Sequence, residues 1–227
     1  MSEENKAEVS YEVLRERAEY ARDEVEGKIK NIIRDLRKTH GGKVVVHHYH
    51  ARIKTLDSAK EKMMRRHYQS LEDISDLLGY RLVCLFQEDI DEVCAAIDRE
   101  FAVIKTKDYI HDPKPPERGG YTGAVHKKIM VQVTCGGIRV SVPMEIQITD
   151  VIMSAVWETE HEDNYKSTEE NINAQDDNQI LIGCVNTIHI IVAKRRGSIS
   201  EDGYDAKLKG CISLMAEILA KRQTAAT

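Results

Sequence analysis

Residues 128–149 hold two strand-like runs separated by a Gly-Gly pair, and no other pattern in the chain constrains the fold as much. Lys128 to Thr134 and Ile138 to Thr149 read as strands, joined tightly at Cys135-Gly136-Gly137 as a hairpin. The second run alternates strictly. Ile138, Val140, Val142, Met144, Ile146 and Ile148 point one way, while Arg139, Ser141, Pro143, Glu145, Gln147 and Thr149 point the other. Such a hairpin offers an apolar face for a core and a polar face on which side chains can meet a ligand.

Helical periodicity surrounds this pair. Leu14, Ala18, Ala21, Val25, Ile29, Ile32 and Leu36 recur at three- and four-residue spacing, which predicts one long helix over 11–40 that Gly41 and Gly42 stop. Lys43 to His50 reads as a short strand. Residues 56–69 read as a helix with Thr55 or Asp57 as its cap, Tyr80 to Phe86 as a hydrophobic strand, and Asp89 to Phe101 as the next helix. Residues 105–122 carry three of the four prolines and a Gly-Gly pair, so a loop is expected there, and long loops in compact domains usually serve function. Val151 to Lys166 reads as a helix and Ser167 to Gln179 as a loop or frayed connector. Ile180 to Arg196 stays open between strand and helix, and Asp205 to Arg222 reads as an amphipathic helix. The expected division is an N-terminal helix at 1–42, a core at 43–166 and a C-terminal helical region at 167–227.

Composition excludes several classes. The apolar runs fall far short of the ~20 residues of a membrane span, and the amino terminus lacks an apolar signal region, so the expected location is the cytoplasm. A net charge of -5 argues against a general nucleic-acid binder, so any basic site must be local. Cys84, Cys94, Cys135, Cys184 and Cys211 contain no CxxC pair, and reduced, buried thiols are expected.

One local basic site stands out. Lys54, Ser58, Lys62 and Arg65 share a helical face with Arg52 just ahead, and Arg52 to Arg66 holds six basic and two acidic residues. Such a row can grip a triphosphate, although alone it reads first as a solvated helix face, the usual fate of basic residues. Asp76 precedes one strand and Glu145 lies on the polar face of another. Carboxylates on neighbouring strands can hold Mg²⁺, and Glu145 could instead accept a proton from an attacking hydroxyl. Tyr121, after a Gly-Gly pair, could stack on a base, with Lys107, Lys114 and Arg118 near phosphates. His47, His48 and His50 read as structural, because alternation puts His47 on the other face and no acidic ligand is near in sequence.

These segments resemble a known family in the family's own order. ARIKTLDSAKEKMMRR is similar to the R-x-K-x-x-x-S-x-x-x-K-x-x-R signature of RelA/SpoT synthetase domains, DISDLLGYRLVCLF to their D-[IL]-x-G-x-R strand, and KDYIHDPK to the start of their guanosine loop. GGYTGAVH stands for G-Y-R-S-L-H, and EIQITDVIMSAVWETEHEDNYK for E-I-Q-I-R-T through E-H-x-x-x-Y-K. The resemblance implies an α+β, polymerase-β-like nucleotidyltransferase fold: a mixed sheet flanked by helices, with N- and C-terminal helices. It also implies Mg²⁺-dependent transfer of the β,γ-pyrophosphate of ATP to the 3′-hydroxyl of GDP or GTP. On that resemblance Arg52, Lys54, Lys62, Arg65 and Arg81 bind ATP, and Ser58 supports their helix. Asp76 holds the metal, and Glu145 holds it or activates the acceptor. Tyr121 stacks on the acceptor base; Lys107, Lys114 and His126 meet its phosphates, and Gln147 belongs with them. The family's hydrolase motif H-x-x-H-D is absent, so the resemblance is to the small alarmone synthetases. Several of those are tetramers built through terminal helices, which leaves room for a homotetramer here and for an antitoxin partner.

The departures fall on the acceptor side. Thr122 replaces the arginine of G-Y-R-S-L-H, an extra residue separates Tyr121 from His126, and Thr149-Asp150 replaces R-T. Two other readings stay open: the same donor chemistry with an adenosine nucleotide or a tRNA 3′ end as acceptor, and a nucleotide-binding protein without turnover.

Overall fold

The chain runs α1 (Tyr11–Thr39), β1 (Val46–Ile53), α2 (Leu56–Arg66), β2 (Leu78–Cys84), α3 (Ile90–Glu100), β3 (Val103–Asp108), β4 (Ala124–Cys135), β5 (Ile138–Asp150), α4 (Val151–Lys166), α5 (Ala174–Arg196) and α6 (Glu201–Ala225). This computed structural model describes residues 9–114, 122–166 and 174–225, without the side chains of 159–166, 174–176, 178 and 222–225. The strands form one sheet ordered β1-β2-β5-β4-β3. Only β2 and β5 run parallel; the other neighbours are antiparallel.

The hairpin forms as the Gly-Gly pair requires. Gly136 and Gly137 both take positive φ, 55° and 80°, which gives a two-residue turn whose twist matches the strands it joins. Its buried stripe, Met144, Ile146 and Ile148, continues across β2 as Leu78, Tyr80 and Leu82. Against this face lie Ala18, Ala21, Val25 and Ile29 of α1 and Val93 and Ile97 of α3. The two alanines let α1 approach closely, and truncating one large residue, as in Ile146→Ala, costs about 2–5 kcal/mol. Polar handles fix the helix in register: the Tyr80 hydroxyl donates to the Arg22 carbonyl at 2.9 Å, and the Tyr49 hydroxyl to Glu26 at 2.8 Å. With one face so covered, the other is left for polar chemistry.

Several expectations need correction. Residues 105–108 are strand rather than loop: β3 is an edge strand whose ladder partner is β4, with lysines facing solvent as edge strands often have. The prolines that suggested a loop lie further on. The first strand is offset, running 46–53 rather than 43–50. Ala174 to Gln179 is helical, and Ile180 to Arg196 is helix throughout. Gly183 explains why that helix packs on α6, since a β-carbon there would stand 2.7 Å from the Met215 Cγ. Of the five cysteines only Cys84 and Cys94 are buried, and Cys184 is exposed. Among the described residues no helix is long and apolar enough to cross a membrane.

Candidate active site

The turn from β1 into α2 builds the first half of the site. The Lys54 amide donates to the Leu77 carbonyl at 2.8 Å, and the Tyr11 hydroxyl donates to the Lys54 carbonyl at 2.6 Å, which pins the strand end between β2 and α1. Thr55 caps α2 by accepting from the Ser58 amide at 3.3 Å. Lys62, two turns into the helix, then reaches the same carboxylate oxygen as Lys54. Asp76 Oδ2 lies 3.1 Å from Lys54 Nζ and 2.5 Å from Lys62 Nζ. Burial alone pushes the Asp76 carboxyl up, but the Lys62 hydrogen bond and the charges of Lys54 and Lys62 outweigh it and hold the group below its ordinary value. The other oxygen, Oδ1, is buried with no hydrogen-bond partner.

The polar face of the sheet builds the second half. Register places Arg52, Gly79, Glu145 and Lys128 on one rung, and His50, Arg81, Gln147, His126 and Lys107 on the next polar rung. Gly79 therefore leaves the floor open between Arg52 and Glu145. Glu145 Oε2 accepts from Gln147 Nε2 at 3.2 Å and lies 3.4 Å from His126 Nδ1. Its burial raises the carboxyl and Asp76 adds to that, yet the contacts from His126 and Gln147 bring it below the ordinary carboxylate value. Lys128, which the sequence reading missed, donates to Ser75 Oγ at 2.5 Å, beside Asp76. Counting outward from the hairpin turn pairs Lys128 with Glu145, so the signal was in the strand spacing.

Arg81 lies between the two halves. Its Nε donates to Gln147 Oε1 at 3.3 Å and its guanidinium faces the Trp157 indole at 5.3 Å, a second residue the sequence reading missed. On the far side His126 packs edge-on against Tyr109 at 5.2 Å, and Lys114 Nζ sits 5.1 Å from that ring. Tyr109 is buried, so it walls this end of the face. Arg52, Ser58, Arg65 and Lys107 are exposed at the rim. Tyr121 and Arg118 lie outside the described residues.

The acceptor-side departures turn inward. Thr122 Oγ1 donates to the Tyr109 carbonyl at 3.0 Å, and the buried Thr149 Oγ1 donates to the Gly123 carbonyl at 2.7 Å. Asp150 Oδ1 accepts from the Ile152 and Met153 amides, capping α4, and lies 3.0 Å from His189 Nε2. These residues serve the fold. His47 and His48 touch through their Nδ1 atoms at 2.8 Å where the β1 ladder shifts register. Among the described residues no group of three or more His, Cys, Asp or Glu is placed to hold a metal by itself.

Residues 51–170 match the family model described as the region found in RelA / SpoT proteins, which is more than half of the chain. The chain belongs to the RelA/SpoT family. It is 30% identical to the GTP pyrophosphokinase YwaC of Bacillus subtilis (strain 168) over 154 residues, 65% of this chain and 71% of that protein. Among solved structures it resembles small alarmone synthetase 2 of B. subtilis, with TM-score 0.69 at 25% identity over 82% of this chain and 98% of that one. A GTP pyrophosphokinase family protein of Streptococcus pneumoniae superposes with TM-score 0.67 at 25% identity, covering 88% and 98%. The RelA/SpoT match spans every site residue just described except Tyr11, His47, His48, His50 and His189. The α+β fold, a mixed sheet flanked by helices, is that of these synthetases.

Proposed function

We propose that this site transfers the β,γ-pyrophosphate of ATP to the 3′-hydroxyl of GDP or GTP, releasing AMP and making (p)ppGpp. The observation that carries the reading is Asp76, clamped at one oxygen by Lys54 and Lys62 and unpartnered at the other, with Glu145 paired across the ladder to Lys128, whose amine reaches the adjacent Ser75. Two acidic groups with an unsatisfied, buried oxygen suit Mg²⁺, which takes one or two carboxylates plus phosphate oxygens. When bound, Mg²⁺ supplies charge neutralisation at the transferred phosphates. Lys54, Lys62, Arg52, Arg65 and Arg81 bind the donor, with Lys54 and Lys62 exchanging a carboxylate partner for phosphate oxygens and Ser58 supporting the helix they border.

On the acceptor side Lys107, Lys114 and His126 meet the phosphates, Gln147 orients the groups beside them, and Tyr121 stacks on the base. Glu145, held ionised by His126 and Gln147, takes the proton of the 3′-hydroxyl as its oxygen bonds to the β-phosphorus. The bond from the β-phosphorus to the α,β-bridging oxygen breaks, and its electron pair leaves on AMP. The deciding assay offers γ-labelled ATP with GDP, GTP, ADP, ATP or tRNA in separate reactions. Label is expected on GDP and GTP with stoichiometric AMP. Transfer only to an adenosine nucleotide or tRNA, or to nothing, would overturn the reading.

A further inference from the structure

Trp157 is the single tryptophan of the chain, and it is spent on Arg81. The indole is 6% exposed and packs in a small apolar cluster with Ala124 of β4, Met153 of α4 and Val185 of α5. Three elements therefore fix one ring. A guanidinium facing an indole at 5.3 Å gains from the ring's negative π-face, and the contact also restricts the plane the guanidinium can adopt. Arg81 is tied at a second point, since its Nε donates to Gln147 Oε1. The Gln147 amide is thereby oriented with its nitrogen toward Glu145 Oε2, to which it donates. One line of contacts runs from the C-terminal helices through Trp157, Arg81 and Gln147 to the carboxylate that faces the acceptor.

We propose that Trp157 is a positioning residue of the donor-nucleotide site: its indole sets the plane of Arg81 and, through Gln147, links the donor grip to the orientation of Glu145. The inference rests on the reading of Arg81 as a ligand of ATP. It assigns α5 a part in the site as well, because Val185 is one wall of the indole's seat.

The test uses the full chain with Mg²⁺ and α,β-methylene-ATP, which cannot be cleaved at the bond the reaction breaks. With one tryptophan in the chain, its emission reports directly on this contact. Saturating analogue is expected to change Trp157 emission in the wild type and not in Arg81→Met; an unchanged wild-type emission, or the same change in Arg81→Met, overturns the proposal. Calorimetry is expected to show Trp157→Leu binding the analogue about five- to thirty-fold more weakly, with Trp157→Phe recovering most of the loss. Ile97→Val, a core change remote from the indole, is expected to lower stability and leave analogue affinity alone. Wild-type affinity in Trp157→Leu, or loss in Ile97→Val equal to that in Trp157→Leu, overturns the positioning role. The two levels separate cleanly. Wild-type affinity in Arg81→Met removes the donor-site reading itself, whereas weakened Arg81→Met beside unaffected Trp157→Leu removes only this inference.

Discussion

Replacing Lys62 by methionine, alone and with Asp76→Asn, isolates the contact on which the first half of the site is built. The Nζ–Oδ2 distance is 2.5 Å, and the side chains are 20% and 12% exposed, so solvent screens the pair little. A hydrogen bond between charged groups contributes about 1.5–3 kcal/mol net, and the double-mutant cycle should return a coupling of that size at pH 7. In a chain of this length that corresponds to a melting shift of about 3–12 °C. The cycle matters because Lys54 shares the oxygen at 3.1 Å and offsets part of either single change. The pH dependence has a defined sign. The Asp76 carboxyl is held below its ordinary value of 3.8, so the contribution is complete above that value and fades as pH falls through the lowered folded-state value. Urea unfolding of the four proteins at pH 7 and pH 3 should therefore give a smaller coupling at pH 3. A coupling under about 0.5 kcal/mol at pH 7, within ordinary additivity, or one unchanged at pH 3, would refute the clamp.

Three further outcomes are expected. Glu145→Gln should lower pyrophosphate transfer about 10²- to 10⁴-fold; equal turnover would remove Glu145 from the proton path. Gly123→Ala should destabilise the fold by about 1–3 kcal/mol in thermal melts, because φ is +81° and the added carbon would meet the Met153 side chain, with its Sδ at 2.9 Å; an unchanged melting temperature would contradict the tight β4–α4 approach. A thiol reagent at pH 8 should label exposed Cys184 well before Cys94, whose thiol burial pushes up to about 12, and Cys84, pushed up further by burial and by Asp89; fast labelling of Cys84 or Cys94 in the native protein would show the core is open.

What the sequence carried was local and periodic. The stripe of α1 and the alternation of β5 are properties of neighbouring residues, and both ended with the expected face buried: Ala18, Ala21, Val25, Ile29, Ile32 and Leu36 on one, Val142, Met144, Ile146 and Ile148 on the other. Ile138, from the same alternating set, is 68% exposed because it lies at the hairpin tip beyond the reach of α1 and α3. The ordered motifs likewise named Arg52, Arg81, His126, Glu145 and Gln147, which the register gathers on one polar face. Proline and glycine content misjudged 105–108, since strand pairing with β4 supplies hydrogen bonds that composition cannot anticipate. It is also why 180–196, rich in branched residues, stayed open until the packing of α6 on it decided for helix.

Partners across strands and between helices belonged to the tertiary structure. Lys54 and Lys62 converge on one oxygen of Asp76 only because the β1–α2 turn is hung from Leu77 and Tyr11, residues distant along the chain. Trp157 meets Arg81 of β2, and Thr149 is buried against the Gly123 carbonyl, through contacts between elements that no periodicity encodes. Periodicity records which side of an element faces its neighbours, whereas the identity of those neighbours depends on strand order, register and helix seating, and those are set by the whole chain packing at once.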